Sequence, residues 1–202
     1  MQGSISVVIP VFTYTEQLEV MEYNAALTYK EFADELIIVE DGGRKSAALL
    51  DIADVYVYRD ENLGFTSNIN MGWKVATKDF VFIVNSDTFI ESGDPHDLCI
   101  EDTVTSPLML GPVQRVGEFL NGAFFVVPRT VQRGMLDETL KMYYSDDDYH
   151  NRVKDIFQQV NSVGFRHIYG ATTKEVDHWA LEEHKKQDKE TYLKKWENKH
   201  GA

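Results

Sequence analysis

Cysteine and long apolar segments are scarce in this sequence, and each absence excludes a class of protein. The 202 residues contain a single cysteine, Cys99, so no internal disulfide can form. No apolar run approaches the roughly 20 residues that cross a bilayer, and the N-terminus lacks the basic segment and apolar core of a secretory signal. We therefore expect a cytoplasmic protein without a transmembrane segment, large enough to be stable without disulfides.

Basic residues are also in the minority. The chain has 20 Lys and Arg against 33 Asp and Glu, which gives a formal net charge of −13. This charge opposes broad attraction to nucleic acid or anionic lipid, because their phosphates carry charge of the same sign. From Trp179 onward, six lysines face five acidic residues. That segment is the exception, and local contacts with an anionic partner stay open there.

Two glycine-rich nucleotide-binding motifs are missing. The first apolar run, Ile5–Ile9, is followed by "PVFTYTEQ", which contains no glycine. The G-x-G-x-x-G fingerprint of dinucleotide-binding folds is therefore absent at the position where it would lie, and so is a P-loop. These absences argue against a dinucleotide-dependent dehydrogenase and a P-loop NTPase.

Apolar runs alternate with amphipathic segments through the first half of the chain. Strands are predicted at Ile5–Ile9, Leu36–Val39, Val55–Tyr58 and Phe80–Val84, with helices at residues 15–32, 46–53 and 62–76 between them. This alternation predicts an α/β protein with a mostly parallel central sheet flanked by helices. The later pattern predicts a strand at residues 119–128, a helix at 145–160, a short strand at 165–170 and a helix at 179–197. We expect a single domain over residues 1–178, with residues 179–202 as a C-terminal helical tail packed on it.

Three of the predicted strands end in polar or turn-forming residues. These ends are Pro10-Val11-Phe12, Glu40-Asp41-Gly42 and Asn85-Ser86-Asp87. In open α/β sheets the ligand binds outside the carboxyl ends of the strands. The sequence therefore predicts a ligand site where these three ends meet.

Three consecutive aspartates begin the predicted helix at 145–160. Ser145 and Asp148 have capping-box spacing, which predicts a helix start at Ser145. The apolar stripe is expected to consist of Tyr149, Val153, Ile156, Phe157 and Val160. Asp146 alone among the aspartates is in register with this stripe, so we expect it to face the protein body. Asp148 faces Arg152 at i+4, where an ion pair is expected.

The order of these segments resembles the inverting family-2 glycosyltransferases of the GT-A fold, and most closely the rhamnosyltransferase-like branch. The resemblance covers roughly residues 4–178. It rests on "SVVIPVF", "ELIIVEDGG", "ENLGFTSNINMGWKVATKDFVFIVNSDT", "NGAFFVVPR", "LDETLKMYYSDDDYHNR" and "VDH". It implies a nucleoside-diphosphate-sugar donor of the UDP or dTDP type and a divalent metal, Mn²⁺ or Mg²⁺.

The resemblance also implies roles for individual residues. Asp87 falls on the last position of a D-x-D-like metal motif, whose first acid is replaced by Asn85. His178 in "EVDHW" matches a histidine that completes the metal shell in several relatives. Asp146 matches the catalytic base, and the helix dipole favours the ionised form that such a base needs. Ser145 replaces the glutamate that is usual before the base.

A further group matches the nucleotide pocket of the family. Asp41 corresponds to the aspartate that contacts the nucleoside, and a carboxylate can accept the N–H of uracil or thymine. The remaining matches are Pro10, Phe12, Asn62, Gly64, Asn68 and Ser86. Asn62, Gly64 and Asn68, together with Gly72, match the family's N-x-G-x-x-x-x-N-x-x-G element. The alternative for "EDGG" is a simple turn, and the alternative for Gly72 is close helix packing.

The function expected from these features is metal-dependent, inverting transfer of a sugar from a nucleotide-sugar to an acceptor hydroxyl. One alternative is a glycosyltransferase-like binding module without turnover, which the replacements Asn85 and Ser145 favour. A sugar nucleotidyltransferase is a weaker alternative, because "PVFTYTEQ" lacks the glycine and basic residues of a triphosphate-binding loop. The acceptor, whether a saccharide, a protein or a modified nucleobase, is open, as is a homo-oligomeric state.

Overall fold

The computed structural model describes residues 3–111, 119–168 and 178–197, without the side chains of residues 178–180. Within these residues the core is one eight-stranded sheet in the order β3-β2-β1-β4-β7-β6-β8-β5. The strands are β1 (Ile5–Val11), β2 (Glu35–Asp41), β3 (Val55–Arg59), β4 (Phe80–Val84), β5 (Thr88–Ser92), β6 (Val104–Leu110), β7 (Phe124–Pro128) and β8 (Phe157–His167). Strands β3, β2, β1 and β4 are mutually parallel. The predicted α/β class and mostly parallel sheet are confirmed.

Helices cover both faces of this sheet. They are α1 (Glu16–Lys30), α2 (Ala47–Ile52), α3 (Phe65–Val75), α4 (Ser145–Val153) and α5 (His178–Glu197), with a short 3₁₀ helix at Pro95–Leu98. Thr15 and Ser46 cap α1 and α2, since each side chain accepts a backbone N–H three residues further on. These two helices begin at the residues that the sequence pattern indicates.

Alternate residues of the buried strands supply two separate apolar layers. On one face, Tyr29 of α1 and Leu49 of α2 pack against residues such as Ile9 and Phe82. On the other face, Ile69 of α3 and Tyr149 of α4 join the second layer. Strands buried on both faces need continuous apolar runs, which explains why the sequence shows no polar alternation there.

Gly72 lies where α3 approaches the sheet most closely. A Cβ atom at this position would come within 2.3 Å of Val8 Cγ1 and 3.1 Å of Val39 Cγ2. Real side chains do not approach so closely, so glycine is required for the helix to pack at this distance. The packing explanation for Gly72 is therefore sufficient.

The second half of the chain differs from the sequence prediction. The predicted helix at 145–160 is wrong beyond Val153, because Phe157–His167 forms β8, which pairs with β6 and β5. Phe157 and Val160 consequently belong to a strand and not to a helical stripe. Their spacing of three also fits a helix, and pairing with distant strands decides the outcome. Strands β5 and β6 were not predicted.

The start of α4 also corrects a prediction. Ser145 is the first residue of the helix and not its cap. The cap position is taken by Tyr144, which has a left-handed backbone (φ 63°, ψ 0°) and makes no capping hydrogen bond through its side chain. A left-handed conformation is unfavourable for a tyrosine. Surrounding contacts must therefore hold the chain in this conformation.

None of the helices in the described ranges combines the length and the apolar character that a membrane crossing requires.

Candidate active site

A cavity of about 560 Å³ opens where β4 ends, β7 begins and α4 starts. Its lining includes Asn85 after β4, Gly122 before β7, and Asp146 and Asp147 in the first turn of α4. His167, the last residue of β8, also lines the cavity, as do further polar residues such as Gln159 and Lys185. Such a concave site with a few convergent polar groups at a strand edge is the usual form of a ligand site in this class of fold.

The turn after β4 holds Asn85 and Asp87 in place. The backbone N–H of Asn85 donates to Ala123 O (2.9 Å), and its carbonyl accepts from both the N–H and the hydroxyl of Thr88 (3.2 and 2.7 Å). Asp87 is 6% exposed, and its Oδ1 lies 3.1 Å from His167 Nε2. No motif in the sequence indicates a role for His167. The contact exists because β5 pairs with β8, placing Thr88 opposite His167.

Two side-chain oxygens of this turn fit a divalent cation. Asn85 Oδ1 is buried and accepts no hydrogen bond from the described residues, and Asp87 Oδ1 is buried with the 3.1 Å contact to His167 Nε2 but no hydrogen bond of good geometry. Buried acceptors are normally satisfied, and oxygen ligands suit Mg²⁺ and Mn²⁺. Among the described side chains no cluster of three or more His, Cys, Asp or Glu is arranged to hold a metal.

His178, the second metal ligand implied by the resemblance, is the first residue of α5. Its side chain lies outside the described residues. The structure therefore does not test its role as a ligand.

Asp146 lies at the cavity wall against Gly122. A Cβ atom at position 122 would approach Asp146 Oδ2 to 2.6 Å and Asp146 Cγ to 2.8 Å. Glycine at this position therefore makes room for the Asp146 carboxylate. The close approach fixes the carboxylate between the start of α4 and the chain that enters β7.

The expectation that Asp146 alone faces the body is wrong. Asp147 also lines the cavity, and Asp148 is completely buried. Asp148 accepts hydrogen bonds from Arg152 Nε (3.1 Å) and from Trp196 Nε1 (3.0 Å), so the predicted Asp148–Arg152 pair is present. The prediction failed because α5 packs on the face of α4 that carries Asp148, where Trp196 Nε1 and Lys195 Nζ contact Asp148 Oδ1.

The candidate nucleotide-binding residues lie at the carboxyl ends of β1, β2 and β4 and in the segment from the β3–α3 loop into α3. None of them lines the 560 Å³ cavity. Pro10 is buried in β1 opposite Val39, and Ser86 is 6% exposed. Phe12 is half-buried and stacks on Tyr14, which is 59% exposed and was missed by the sequence analysis.

Asp41 is already engaged within the chain. It is 2% exposed, accepts the N–H groups of Leu63 and Gly64 (both 3.1 Å to Oδ2) and pairs with Arg59 at 2.7 Å. Burial raises the pKa of Asp41, although the Leu63 N–H and the Arg59 guanidinium oppose the shift. Its carboxylate shapes the loop between β3 and α3.

The other members of this group support the same loop. Asn68, 3% exposed, donates to Val39 O (3.0 Å) and accepts from Arg59 (3.3 Å). The exposed Asn62 accepts the N–H of Gly64 at 3.0 Å. Gly64 has a φ of 96°, a conformation that favours glycine. Much of the "N-x-G" element therefore has a structural task of its own.

A buried pair of glutamates lies behind Phe12. The hydroxyl of Thr13 is 2.7 Å from Glu22 Oε2 and 2.6 Å from Glu40 Oε2, and both carboxyls are fully buried. Burial raises the pKa of Glu22 to about 8, and it also raises the pKa of Glu40. Nothing in the sequence pattern distinguishes Glu22, because it lies in a helix with many other polar residues.

Comparison with known proteins connects this geometry to a family. The model of the glycosyl transferase family 2 matches residues 6–98, from β1 through the 3₁₀ helix. No curated protein has a significant match to this sequence. Solved structures do match over most of the chain.

The mannosyltransferase PcManGT from Pyrobaculum calidifontis, solved with GDP-Man and Mn²⁺, is 13% identical with a TM-score of 0.61, over 85% of this chain and 59% of its own. The chain thus spans about three-fifths of that enzyme. Glucosyl-3-phosphoglycerate synthase from Mycobacterium tuberculosis, solved with Mn²⁺, UDP-glucose and phosphoglyceric acid, is 16% identical with a TM-score of 0.65, over 95% of this chain and 79% of its own. At these identities the likeness establishes the fold. The chain therefore has the GT-A fold, and its residues 6–98 match the family-2 glycosyltransferases.

Proposed function

We propose that this protein transfers a sugar from a nucleoside-diphosphate-sugar to an acceptor hydroxyl, with inversion at the anomeric carbon. The observation that carries the proposal is the shared cavity wall of Asn85, Asp146 and His167. In the cavity wall, Asn85 from the turn after β4 lies together with a carboxylate from α4, and Asp87 of the same turn, the proposed metal ligand, is not part of the lining. Transfer needs both a metal site and a carboxylate, because the leaving diphosphate requires a cation and the acceptor hydroxyl requires a base.

Asp146 acts as the base in this proposal. It lies in the first turn of α4, where the helix dipole stabilises a carboxylate. There it accepts the proton of the acceptor hydroxyl as the oxygen attacks the sugar. Gly122 leaves room for the carboxylate at the cavity wall.

Asp87 is the proposed protein ligand of a Mn²⁺ or Mg²⁺ ion, with Asn85 Oδ1 as a second oxygen nearby. When bound, the metal neutralises the charge of the leaving diphosphate. His167 Nε2 contacts Asp87 and fixes the direction of its carboxylate. His178 stays a predicted ligand from the family resemblance.

The donor is proposed to carry UDP or dTDP, with its base near Phe12 and the loop that Asp41 shapes. The two solved neighbours contain GDP-Man and UDP-glucose respectively, so the fold accommodates more than one base. The acceptor class stays open between a saccharide, a protein and a modified nucleobase. The rhamnosyltransferase-like branch, the cytoplasmic location, the division of the chain at residue 178 and the oligomeric state also stay predictions.

Thermal unfolding with a panel of ligands tests the proposal. The panel contains UDP, dTDP, UDP-glucose, dTDP-rhamnose and GDP-mannose, each with Mn²⁺, Mg²⁺ or EDTA. A ligand at 100 times its dissociation constant stabilises the folded state by about 2.7 kcal/mol. We expect a metal-dependent rise in melting temperature with one nucleoside diphosphate and with the corresponding nucleotide-sugar. Absence of any shift in folded protein would contradict donor binding, while binding without release of nucleoside diphosphate would favour a module without turnover.

A further inference from the structure

Helix α5 is bonded to the segment that leads into the proposed base. Asp188, in the middle of α5, is 3% exposed, and its carboxylate accepts three consecutive backbone N–H groups. Lys141 N donates to Oδ1 at 3.1 Å, and Met142 N and Tyr143 N donate to Oδ2 at 2.8 and 2.9 Å. Successive N–H groups converging on one anion form a compact and strongly directional contact.

The bonded segment is part of the cavity wall. Met142, Tyr143 and Tyr144 all line the cavity, and Asp146 follows two residues later. The opposite edge of the segment is held by α3, because Thr66 N donates to Lys141 O at 3.0 Å. The segment is thus fixed from α3 on one side and from α5 on the other.

Further contacts from α5 hold the left-handed entry into α4. The ring of Tyr144 stacks on Tyr192 of α5, with centroids 5.4 Å apart and an interplanar angle of 29°. Asn151 of α4 donates to the Tyr192 hydroxyl at 2.8 Å. A tyrosine with positive φ persists only where neighbouring contacts determine its conformation. The ring of Tyr192 supplies one of them.

We infer that Asp188 is a positioning residue for the transfer reaction, holding residues 141–143 so that Asp146 meets the acceptor hydroxyl. The inference rests on the proposed function, since it requires Asp146 to act as the base. Catalysis by a base depends on its placement, and a displacement of about 1 Å can cost on the order of a hundredfold in rate. The middle of α5 thus sets the geometry of the reaction through Asp188.

Asp188→Asn tests this inference against Glu190→Gln, an exposed acid two residues further along α5. Asparagine keeps one acceptor oxygen and turns an N–H₂ group toward the backbone donors. Amide hydrogen exchange is expected to rise at least tenfold at residues 141–143 in Asp188→Asn, while β1 and β2 keep their protection. Glu190→Gln should match the wild type. Unchanged exchange at 141–143, or an even increase across the chain, would overturn the positioning role.

The catalytic consequence is measured with the nucleotide-sugar of the ligand panel that binds the wild type. The measured quantity is the rate at which nucleoside diphosphate is released when water takes the place of the acceptor. We expect at least a tenfold slower release in Asp188→Asn with an unchanged donor dissociation constant. Should this variant not fold, Tyr192→Leu, which removes the stacking partner of Tyr144, is expected to show the same separation of rate from binding. A normal rate of release in folded Asp188→Asn would overturn the positioning role of Asp188 and leave the proposed function untouched. A wild type that binds no nucleotide-sugar overturns the proposed function and, with it, the catalytic role of Asp188, whatever the exchange result.

Discussion

Glu22 and Glu40 contact the same hydroxyl group, that of Thr13, at 2.7 and 2.6 Å. A hydroxyl carries one proton, so Thr13 can donate to only one of the two carboxyls. The other short contact requires a proton on a glutamate. The raised pKa of Glu22, about 8, identifies it as the protonated member at neutral pH. Glu22 also accepts the N–H of Phe12 at 3.3 Å, so the shared proton helps to fix the loop proposed to receive the nucleotide.

Stability should therefore fall as the pH rises through this range. Between about 4.5 and about 8 the folded protein keeps the Glu22 proton, whereas the unfolded chain releases it. The stabilisation is complete below the unfolded pKa and is lost as the pH passes the folded value, by up to about 1.4 kcal/mol per pH unit. Glu22→Gln mimics the protonated acid and should remove this dependence.

Urea unfolding of the wild type and Glu22→Gln at pH 5.5, 7 and 8.5 measures the effect. The difference in free energy of unfolding, variant minus wild type, is expected to grow with pH. Glu16→Gln, at an exposed acid on the same helix, is the control and should follow the wild type. A constant difference across the three pH values would mean that Glu22 is ionised in the folded protein.

Asp146→Asn should separate catalysis from donor binding. The amide keeps the size of the side chain but cannot accept the proton, so release of nucleoside diphosphate should fall by about 10²–10⁴-fold. The melting shift with donor and Mn²⁺ should stay as in the wild type, because Asp146 is not part of the turn proposed to bind the metal. Asp147→Asn is the matched comparison, since Asp147 lines the same cavity one residue further on. Equal losses in both variants would point to cavity charge instead of a single base.

Gly122→Ala should impair the same step by displacing Asp146. The added Cβ would approach the Asp146 carboxylate to 2.6 Å, so the side chain or the start of α4 must move. We expect at least a tenfold slower release of nucleoside diphosphate with a small change in melting temperature.

Gly72→Ala is the comparison for Gly122→Ala, because it adds the same Cβ atom at a position in the core. That Cβ would meet the buried Val8 and Val39 and not a residue of the cavity. Overpacking of a core typically costs 1–3 kcal/mol, so this variant should lose stability first. A Gly122→Ala variant that loses stability like Gly72→Ala but keeps its rate would contradict the proposed place of Asp146.

Local sequence predicted the parallel half of the sheet but less of the active site. Continuous apolar runs such as Phe80–Val84 suffice to predict buried strands. In contrast, the five-residue strand β5 gives little local signal, and without its pairing to β8 nothing placed His167 beside Asp87. Asp188 was missed for a similar reason. Its three hydrogen bonds connect segments more than forty residues apart, and its neighbours in α5 are ordinary charged helix residues.

The turn after β4, which we propose to bind the metal, offers the last prediction. Asp87→Asn should weaken Mn²⁺-dependent binding of UDP, because it removes the proposed carboxylate ligand. His167→Ala should weaken it by about 10–100-fold, the usual cost of losing a residue that orients a metal ligand. Calorimetric titration of UDP in the presence of Mn²⁺ measures both effects.

His96 provides the control for these variants, because it forms a similar pair with Asp94, 2.9 Å away, outside the cavity lining. His96→Ala should leave the UDP titration unchanged. His178→Ala belongs in the same series, since the family resemblance makes His178 a ligand. A loss with His167→Ala and none with His178→Ala would locate the histidine of the metal-binding turn on β8. The reverse result would return that role to α5 and leave His167 as a packing partner of Asp87.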